Sequence, residues 1–314
     1  MGYNPANFAY HIGTGSWVEG YAVCYAVSFY DRRTGRRDAF GASSTASPSS
    51  SFTSFRTTSP RSTRTMSCDL MATPYDVIGG AYSSQRRTDP RIAAPLWKAL
   101  EAAHSVLNVG AGAGSYEPAD RTVIAADPSQ VMLAQRPQRS TPCVQARAES
   151  LPFRDHCVDA VMAVLTLHHW SEQHRGVAEC ARVARHRVVI LTWDPAAPGF
   201  WLLDDYFPEL IAVDRQLFPP IEAVASWLGK AAVSPVPIPA DCVDGFLGAY
   251  WRRPEAYLDP RVRAGMSSFR RPADLGPGLG RLSDDLRSGA WMRRYGHLLE
   301  MDALDIGYRL LVSM

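Results

Sequence analysis

The chain of 314 residues is long enough for one large domain or two ordinary ones, and an apolar content of 46% is sufficient for a substantial core. A net charge of +2 argues against a nucleic-acid partner, for which a clustered basic face is typical. No apolar run approaches the ~20 residues of a membrane span, and the six cysteines show no zinc spacing. We expect a cytoplasmic protein with free thiols, no metal and no membrane span.

Residues 1–70 differ in composition from the rest of the chain. Residues 42–65 contain nine Ser, six Thr and three Arg but no acid, and such a segment buries too little apolar surface to offset its ordering entropy. We expect residues 1–70 to be a disordered or mis-called N-terminal extension, although the apolar run at 21–30 leaves a small hairpin open. The folded domain is expected over residues 71–314.

Strands and helices alternate through residues 89–194. Asp89-Pro90 predicts the start of a helix, with Asp as cap and Pro in the first turn. The predicted strands are 106–109, 122–126, 144–148, 158–165 and 188–193, and the helices between them are 129–136 and 171–184. Strands predicted at 233–238 and 306–312 complete an α/β fold, in which a mostly parallel seven-stranded sheet has helices on both faces and an antiparallel final strand.

Three glycines follow the first predicted strand at alternate positions, namely Gly110, Gly112 and Gly114. Glycines at a strand end let the backbone turn tightly and approach a ligand, as in the nucleotide sites of open α/β sheets. Asp127 ends the second strand, where a carboxylate can accept both hydroxyls of a ribose. Glu149 follows the third strand beside an apolar pair that could cover an adenine ring.

The spacing of the glycines restricts the nucleotide. A dinucleotide fingerprint needs G-x-G-x-x-G, and Ser115 occupies its third glycine position. There is no G-x-x-x-x-G-K for a triphosphate, and the loop has no basic residue before Arg121. The ligand is therefore expected to carry little negative charge.

The chain is similar to class I S-adenosylmethionine-dependent methyltransferases. Four segments carry the resemblance: 106–115 with its glycines, Asp127-Pro-Ser, Glu149-Ser-Leu-Pro-Phe and 158–170. The resemblance covers residues 73–194, the expected cofactor-binding core, and it is greatest to the ubiquinone/menaquinone-methyltransferase-like group of small-molecule enzymes; residues 195–300 would lie on the substrate side. It implies S-adenosylmethionine as cofactor. By this resemblance, the glycine loop would contact the methionine part and the ribose of the cofactor. Asp127 and Pro128 would contact the ribose, and Tyr82 and Arg86 would contact the carboxylate of the cofactor. Ala111 belongs to the glycine loop and shares its implied contacts with methionine and ribose. The other implied contacts lie near the adenine (Glu149, Ser150 and Leu151) and the sulfonium (Leu165 and Thr166).

Two departures from the family pattern concern the glycine loop. Asn108 occupies a position where the family usually has Asp or Glu to orient the methionine amine, and Asn lacks the charge. Only residues 115–121 separate the last glycine from the second strand, near the lower limit for a crossover. We expect the crossover helix to be one turn or absent, which would leave the loop at 115–120 open.

The expected reaction is in-line methyl transfer to a small organic acceptor, for which alignment of the reacting atoms supplies most of the rate. His168 and His169 are weak candidates for a general base. A group of aromatic residues could line a dry pocket, although such residues are more often part of the core (Phe200, Trp201, Tyr206, Phe207 and Trp251). Two alternatives remain open: an RNA or protein methyltransferase, and a non-catalytic protein that binds S-adenosylmethionine. The sequence leaves the oligomeric state and the acceptor undetermined.

Overall fold

A computed structural model describes residues 86–136, 141–270 and 274–314, together with three strands within the first 43 residues. The segment expected to be disordered, 42–65, lies almost wholly outside these ranges, and Tyr82 also lies outside them. No described helix combines the length and the apolarity that crossing a membrane requires.

One sheet contains nearly all the described strands. In chain order these are β1 (Phe8–Thr14), β2 (Cys24–Asp31), β3 (Arg36–Ser43), β4 (Ser105–Val109), β5 (Thr122–Asp127), β6 (Cys143–Gln145), β7 (Val158–Val164), β8 (Ala184–Trp193), β9 (Ala231–Pro235) and β12 (Tyr308–Ser313). The two remaining short strands, β10 (Ile238–Pro239) and β11 (Ala303–Leu304), pair with each other.

The order of the central seven strands is β6-β5-β4-β7-β8-β12-β9. The first five of these strands run parallel to one another, and β12 is antiparallel to both of its neighbours. This confirms the predicted mostly parallel, seven-stranded sheet with an antiparallel final strand. The antiparallel strands β1 to β3 extend the sheet beyond β6, and β2 overlaps the apolar run at 21–30. That residues 1–70 are a dispensable extension stays a prediction.

Helices cover both faces of the sheet. They are α1 (Pro90–Ala99), α2 (Gln130–Ala134), α3 (Gln173–Val183), α4 (Pro208–Leu217), α5 (Ile221–Trp227), α6 (Pro260–Arg263), α7 (Gly276–Ser288) and α8 (Ala290–Tyr295). Successive residues of a strand point to opposite faces. Val106 accordingly packs with residues of α1 and α7, whereas Leu107 packs with residues of α3 and α5. Burial on both faces explains why the central strands are mostly apolar.

The predicted start of α1 is confirmed. The Oδ1 atom of Asp89 accepts a hydrogen bond from the backbone N–H of Arg91 at 3.0 Å, and Pro90 occupies the first turn. Ile92 and Leu96 are each only 1% exposed, so the helix buries the apolar face that the spacing predicted.

Asp89 is expected to make the stability of the fold depend on pH in the acid range. Burial alone would raise the pKa of Asp89, but hydrogen bonds from Arg91 and from the Val243 backbone outweigh it and lower the pKa to about 2. Because the folded pKa lies below the unfolded value, the stabilisation is present above pH ~4 and is lost as the pH falls towards 2. The Asp89→Asn variant keeps a good helix cap, so it should lose about 2 kcal/mol at pH 6.

Urea denaturation of the parent and of Asp89→Asn at pH 6, 4 and 2.5 would measure this contribution. The difference in free energy of unfolding between the two proteins should shrink as the pH falls. A difference that stayed constant over this range would show that the charge of Asp89 does not stabilise the fold.

The connection from the glycines to β5 contains no helix, as its length predicted. The expectation that this connection stays open is wrong. Tyr116 is fully buried, and its backbone N–H donates to Oγ1 of Thr88 at 2.8 Å. The connection therefore closes over the core by inserting a tyrosine where the family resemblance implies a helix.

Candidate functional site

The glycine loop lies at the carboxyl end of β4, where the chain order of the strands reverses between β4 and β7. Gly110, Gly112 and Gly114 have φ angles of +69°, +51° and +99°, which side-chain-bearing residues rarely adopt. A Cβ atom on Gly110 would lie 2.0 Å from Oγ1 of Thr166, the second residue after β7. The two strand ends therefore meet at the crevice in which open α/β sheets bind their ligands.

Asp127 ends β5 and contacts the glycine loop directly. Its Oδ2 atom accepts a hydrogen bond from the Gly112 N–H at 2.8 Å, and its Oδ1 atom accepts one from the Ser129 N–H at 2.8 Å. These bonds fix the orientation of the carboxylate, and Asp127 as a whole residue is only 8% exposed. Since each carboxylate oxygen can accept two hydrogen bonds, this geometry is compatible with a ribose diol as a further donor.

A buried polar cluster lies next to the loop. Asn108, 2% exposed, donates from Nδ2 to Oε1 of Glu117 at 2.9 Å, and Nη2 of Arg136 donates to Oε2 of Glu117 at 2.6 Å. Oδ1 of Asn108 is buried without a hydrogen-bond partner among the described residues. The sequence prediction found Asn108 but missed Glu117 and Arg136, because only the fold brings them together.

Glu149 lies at the carboxyl edge of the sheet, but its contacts are with the chain itself. Its Oε1 atom accepts hydrogen bonds from the N–H and Oγ of Ser171 and from the N–H of Glu172, at 2.6, 2.8 and 3.1 Å. Burial opposes the charge, but these hydrogen bonds and one from its own backbone outweigh it and lower the pKa of Glu149. The carboxylate thus ties residues 149–151 to the start of α3, and its role beside the adenine stays a prediction.

Arg86 is held by a buried carboxylate. Its Nε and Nη2 atoms donate to the two oxygens of Asp244 at 2.7 and 3.2 Å, and the guanidinium lies 5.9 Å from the centre of the Phe246 ring. The hydroxyl of Tyr116 donates to the same carboxylate at 2.8 Å. Asp244 thereby joins the segment before α1 to the glycine-loop connection, a role that no local sequence pattern indicated.

A pocket lies near the carboxyl end of β7, at Leu165, the residue before Thr166. Leu165 lines it, with a φ of +51°. Most of the wall is apolar or aromatic (Trp193, Phe218, Phe246, Leu247, Met266 and Tyr308). Its polar side chains are those of Arg86, His168, Ser267 and Ser268. The ring of His168 stacks on Phe218 with centroids 4.2 Å apart. His168 lines the pocket, whereas His169 is exposed and does not line it.

The aromatic residues considered as candidates for the pocket lining are core residues. Phe200, Trp201, Tyr206, Phe207 and Trp251 are all at most 3% exposed, and none of them lines the pocket just described. The indole of Trp201 donates to the Trp251 carbonyl at 2.9 Å and packs against four other rings. Of the two alternatives left open by the sequence, core or pocket lining, these residues take the core, because aromatic composition alone does not separate a core-facing side chain from a pocket-facing one.

Comparisons with known proteins identify similar methyltransferases. A family model described as a methyltransferase domain matches residues 107–192, which run from β4 into β8. A solved structure of a candidate methyltransferase from an antibiotic biosynthesis pathway of Anabaena variabilis is 35% identical, covers 73% of this chain and 99% of its own, and superposes with a TM-score of 0.68.

Two curated relatives match shorter parts of the chain. The uncharacterized methyltransferase YcgJ of Bacillus subtilis is 31% identical over 120 residues, which is 35% of this chain and 47% of the relative. A chloroplastic 2-methyl-6-phytyl-1,4-hydroquinone methyltransferase of rice (Oryza sativa subsp. japonica) is 27% identical over 141 residues, which is 42% of this chain and 39% of the relative. The chain spans less than half the length of these curated relatives.

The sheet order and the glycine loop beside Asp127 define an open α/β protein whose glycine loop lies at the switch point of the sheet, where such folds bind their ligands. The similarity to the Anabaena protein, which extends over nearly the whole of that protein, identifies the family within this class of fold. The chain belongs to the class I methyltransferases, a family of S-adenosylmethionine-dependent enzymes.

Proposed function

We propose that this protein transfers a methyl group from S-adenosylmethionine to a small organic acceptor bound in the pocket beside Leu165. The observation that carries the proposal is the position of this pocket. Its wall residue Leu165 directly precedes Thr166, and Thr166 packs against Gly110 of the glycine loop. A cofactor on the loop and an acceptor in the pocket would therefore be neighbours.

The residues at the glycine loop suit the cofactor. The buried Oδ1 atom of Asn108, which has no partner among the residues that the structure describes, is an acceptor for an ammonium group, and Asp127 suits the ribose hydroxyls. The remaining contacts implied by the resemblance, including those of Tyr82, Arg86, Glu149 and Ser150, are part of the same proposal. S-adenosylmethionine, when bound, supplies an activated methyl group on a sulfonium centre.

The chain's own contribution is to orient the acceptor and to exclude water. Trp193, Phe218 and Phe246 form apolar walls, which hold an organic molecule of limited size and keep water from the reacting atoms. His168 is the candidate to take a proton from the acceptor, since its ring forms part of the wall. His169 is exposed and has no such position. The apolar enclosure favours a small acceptor over RNA or a protein.

Isothermal calorimetry with S-adenosylhomocysteine, the cofactor product, tests the proposal. The parent protein should bind it, and Asp127→Ala should raise the dissociation constant by roughly 100-fold, because two hydrogen bonds to a charged group are lost. The matched control is Asp159→Ala. Asp159 also accepts backbone N–H groups, those of His104 and Ser105 at 3.0 and 2.9 Å, but it lies at the opposite end of the sheet.

Asp159→Ala should bind the ligand like the parent. If Asp127→Ala also bound like the parent, the ribose role of Asp127 would be refuted, and absence of binding by the parent would refute the cofactor assignment. Binding without methyl transfer to any member of a panel of phenols, amines and carboxylic acids would favour the non-catalytic alternative.

A further inference from the structure

The polar cluster beside the glycine loop determines which way the Asn108 amide points. Oε1 of Glu117 contacts Nδ2 of Asn108 at 2.9 Å. An ionised carboxylate can only accept hydrogen bonds, so the amide must turn its NH₂ group towards Glu117. Oδ1 of Asn108 is then directed away from Glu117 as an acceptor. It is this atom that is buried without a partner among the described residues.

Arg136 fixes the position of Glu117. The side chain of Arg136 is 1% exposed and donates to Oε2 of Glu117 at 2.6 Å and to Oγ1 of Thr141 at 2.7 Å. Its other terminal nitrogen, Nη1, lies 3.4 Å from the carbonyl oxygen of Gly112, and a Cβ atom on Gly114 would lie 3.1 Å from it. One guanidinium therefore supports both the glycine loop and the carboxylate that orients Asn108.

We propose that Glu117 is a positioning residue for the cofactor, because it makes Asn108 present a hydrogen-bond acceptor to the ammonium group of the methionine moiety. This inference rests on the proposed function. A buried acceptor without a donor is unfavourable, and a ligand ammonium would supply the missing donor. The neutral Asn108 thereby acts as a hydrogen-bond acceptor, and its orientation depends on Glu117 in the connection between the glycines and β5.

The test compares two ligands by calorimetry: S-adenosylhomocysteine, which carries the ammonium group, and 5′-methylthioadenosine, which lacks the whole amino-acid moiety. In Glu117→Gln the amide at position 117 can donate as well as accept, so the Asn108 amide is free to turn over. The dissociation constant of S-adenosylhomocysteine should rise about tenfold. That of 5′-methylthioadenosine should change less than about twofold.

Two further variants test the orientation directly. Asn108→Asp alone places two carboxylates in contact and should weaken binding of S-adenosylhomocysteine. The double variant, which combines Asn108→Asp with Glu117→Gln, should restore it. The amide introduced at position 117 can donate to the carboxylate introduced at position 108, while the second oxygen of that carboxylate faces the ammonium. The double variant also provides the test if Glu117→Gln fails to fold.

The matched control is Glu101→Gln. Glu101 also forms an ion pair with an arginine, Arg187, but its side chain is 63% exposed. This variant should bind both ligands like the parent. Equal weakening of both ligands in Glu117→Gln, or no recovery in the double variant, would overturn the positioning role while leaving the cofactor assignment intact. A parent protein that bound neither ligand would instead overturn the proposed function.

Discussion

Gly110→Ala is expected to abolish binding of S-adenosylhomocysteine and to lower the free energy of unfolding by about 3 kcal/mol. Two costs combine at this position. The φ angle of +69° is unfavourable for alanine, and the new Cβ atom would lie 2.0 Å from Oγ1 and 2.6 Å from Cβ of Thr166. Because Cβ of Thr166 is attached directly to the backbone, the clash can be relieved only by moving a strand end. The loop is then displaced from Asp127.

Gly229→Ala separates the two costs. Gly229 has a similar φ of +80°, but a Cβ atom there would meet nothing within 4 Å among the described residues. This variant should lose about 1–2 kcal/mol from backbone strain alone and should bind S-adenosylhomocysteine like the parent. Urea denaturation and calorimetry on both variants measure the two effects. Equal losses of stability and unchanged binding in Gly110→Ala would show that the contact with Thr166 is not needed for the site.

The central strands could be predicted from the sequence because their physical signal is local. Strands β4, β5 and β7 are buried on both faces, so each is mostly apolar, and a glycine or an acid marks where β4 and β5 end. The signal for the crossover helix was equally local, since the count of residues between Gly114 and β5 left room for one turn at most. The fold class therefore followed from patterns within about ten residues.

The acceptor pocket could not be predicted in this way, because its wall comes from distant segments. Leu165 follows β7, Phe218 follows α4, Phe246 lies in the insertion before α6, and Tyr308 begins the last strand. Each of these residues is an ordinary apolar position in its own segment. The aromatic residues near position 200 were stronger candidates by composition, yet they pack into the core.

The same reason explains why the partner of Tyr116 was missed. In sequence Tyr116 lies in a polar loop, and the carboxylate that accepts its hydroxyl belongs to Asp244, 128 residues further along the chain. Burial and this neighbouring carboxylate both raise the pKa of Tyr116, so its hydroxyl stays a proton donor at any physiological pH. A tyrosine fixed in this way is a structural donor and not a catalytic base.

Asp244→Ala is expected to destabilise the protein by about 3–5 kcal/mol, as is typical when one partner of a buried ion pair is removed. The carboxylate of Asp244 is completely buried and accepts five hydrogen bonds. Two come from the Arg86 side chain, one from the Tyr116 hydroxyl, and two from the backbone N–H groups of Arg87 and Gly245. Its loss removes the carboxylate that these buried donors share, and it releases Arg86 at the pocket wall.

Asp241→Ala is the matched control, because Asp241 lies three residues away and also pairs with an arginine, Arg91, but its side chain is 81% exposed. An exposed ion pair contributes little, since water solvates the charges nearly as well, so the urea midpoint of this variant should stay close to that of the parent. Asp244→Asn should fall between the two, because an amide oxygen still accepts from Arg87 and Gly245 but the charge is lost. If Asp244→Ala unfolded at the same urea concentration as Asp241→Ala, then Asp244 would not be what joins the glycine-loop connection to the pocket wall. The apolar contacts of Tyr116 and Phe246 would then be sufficient to hold the two together.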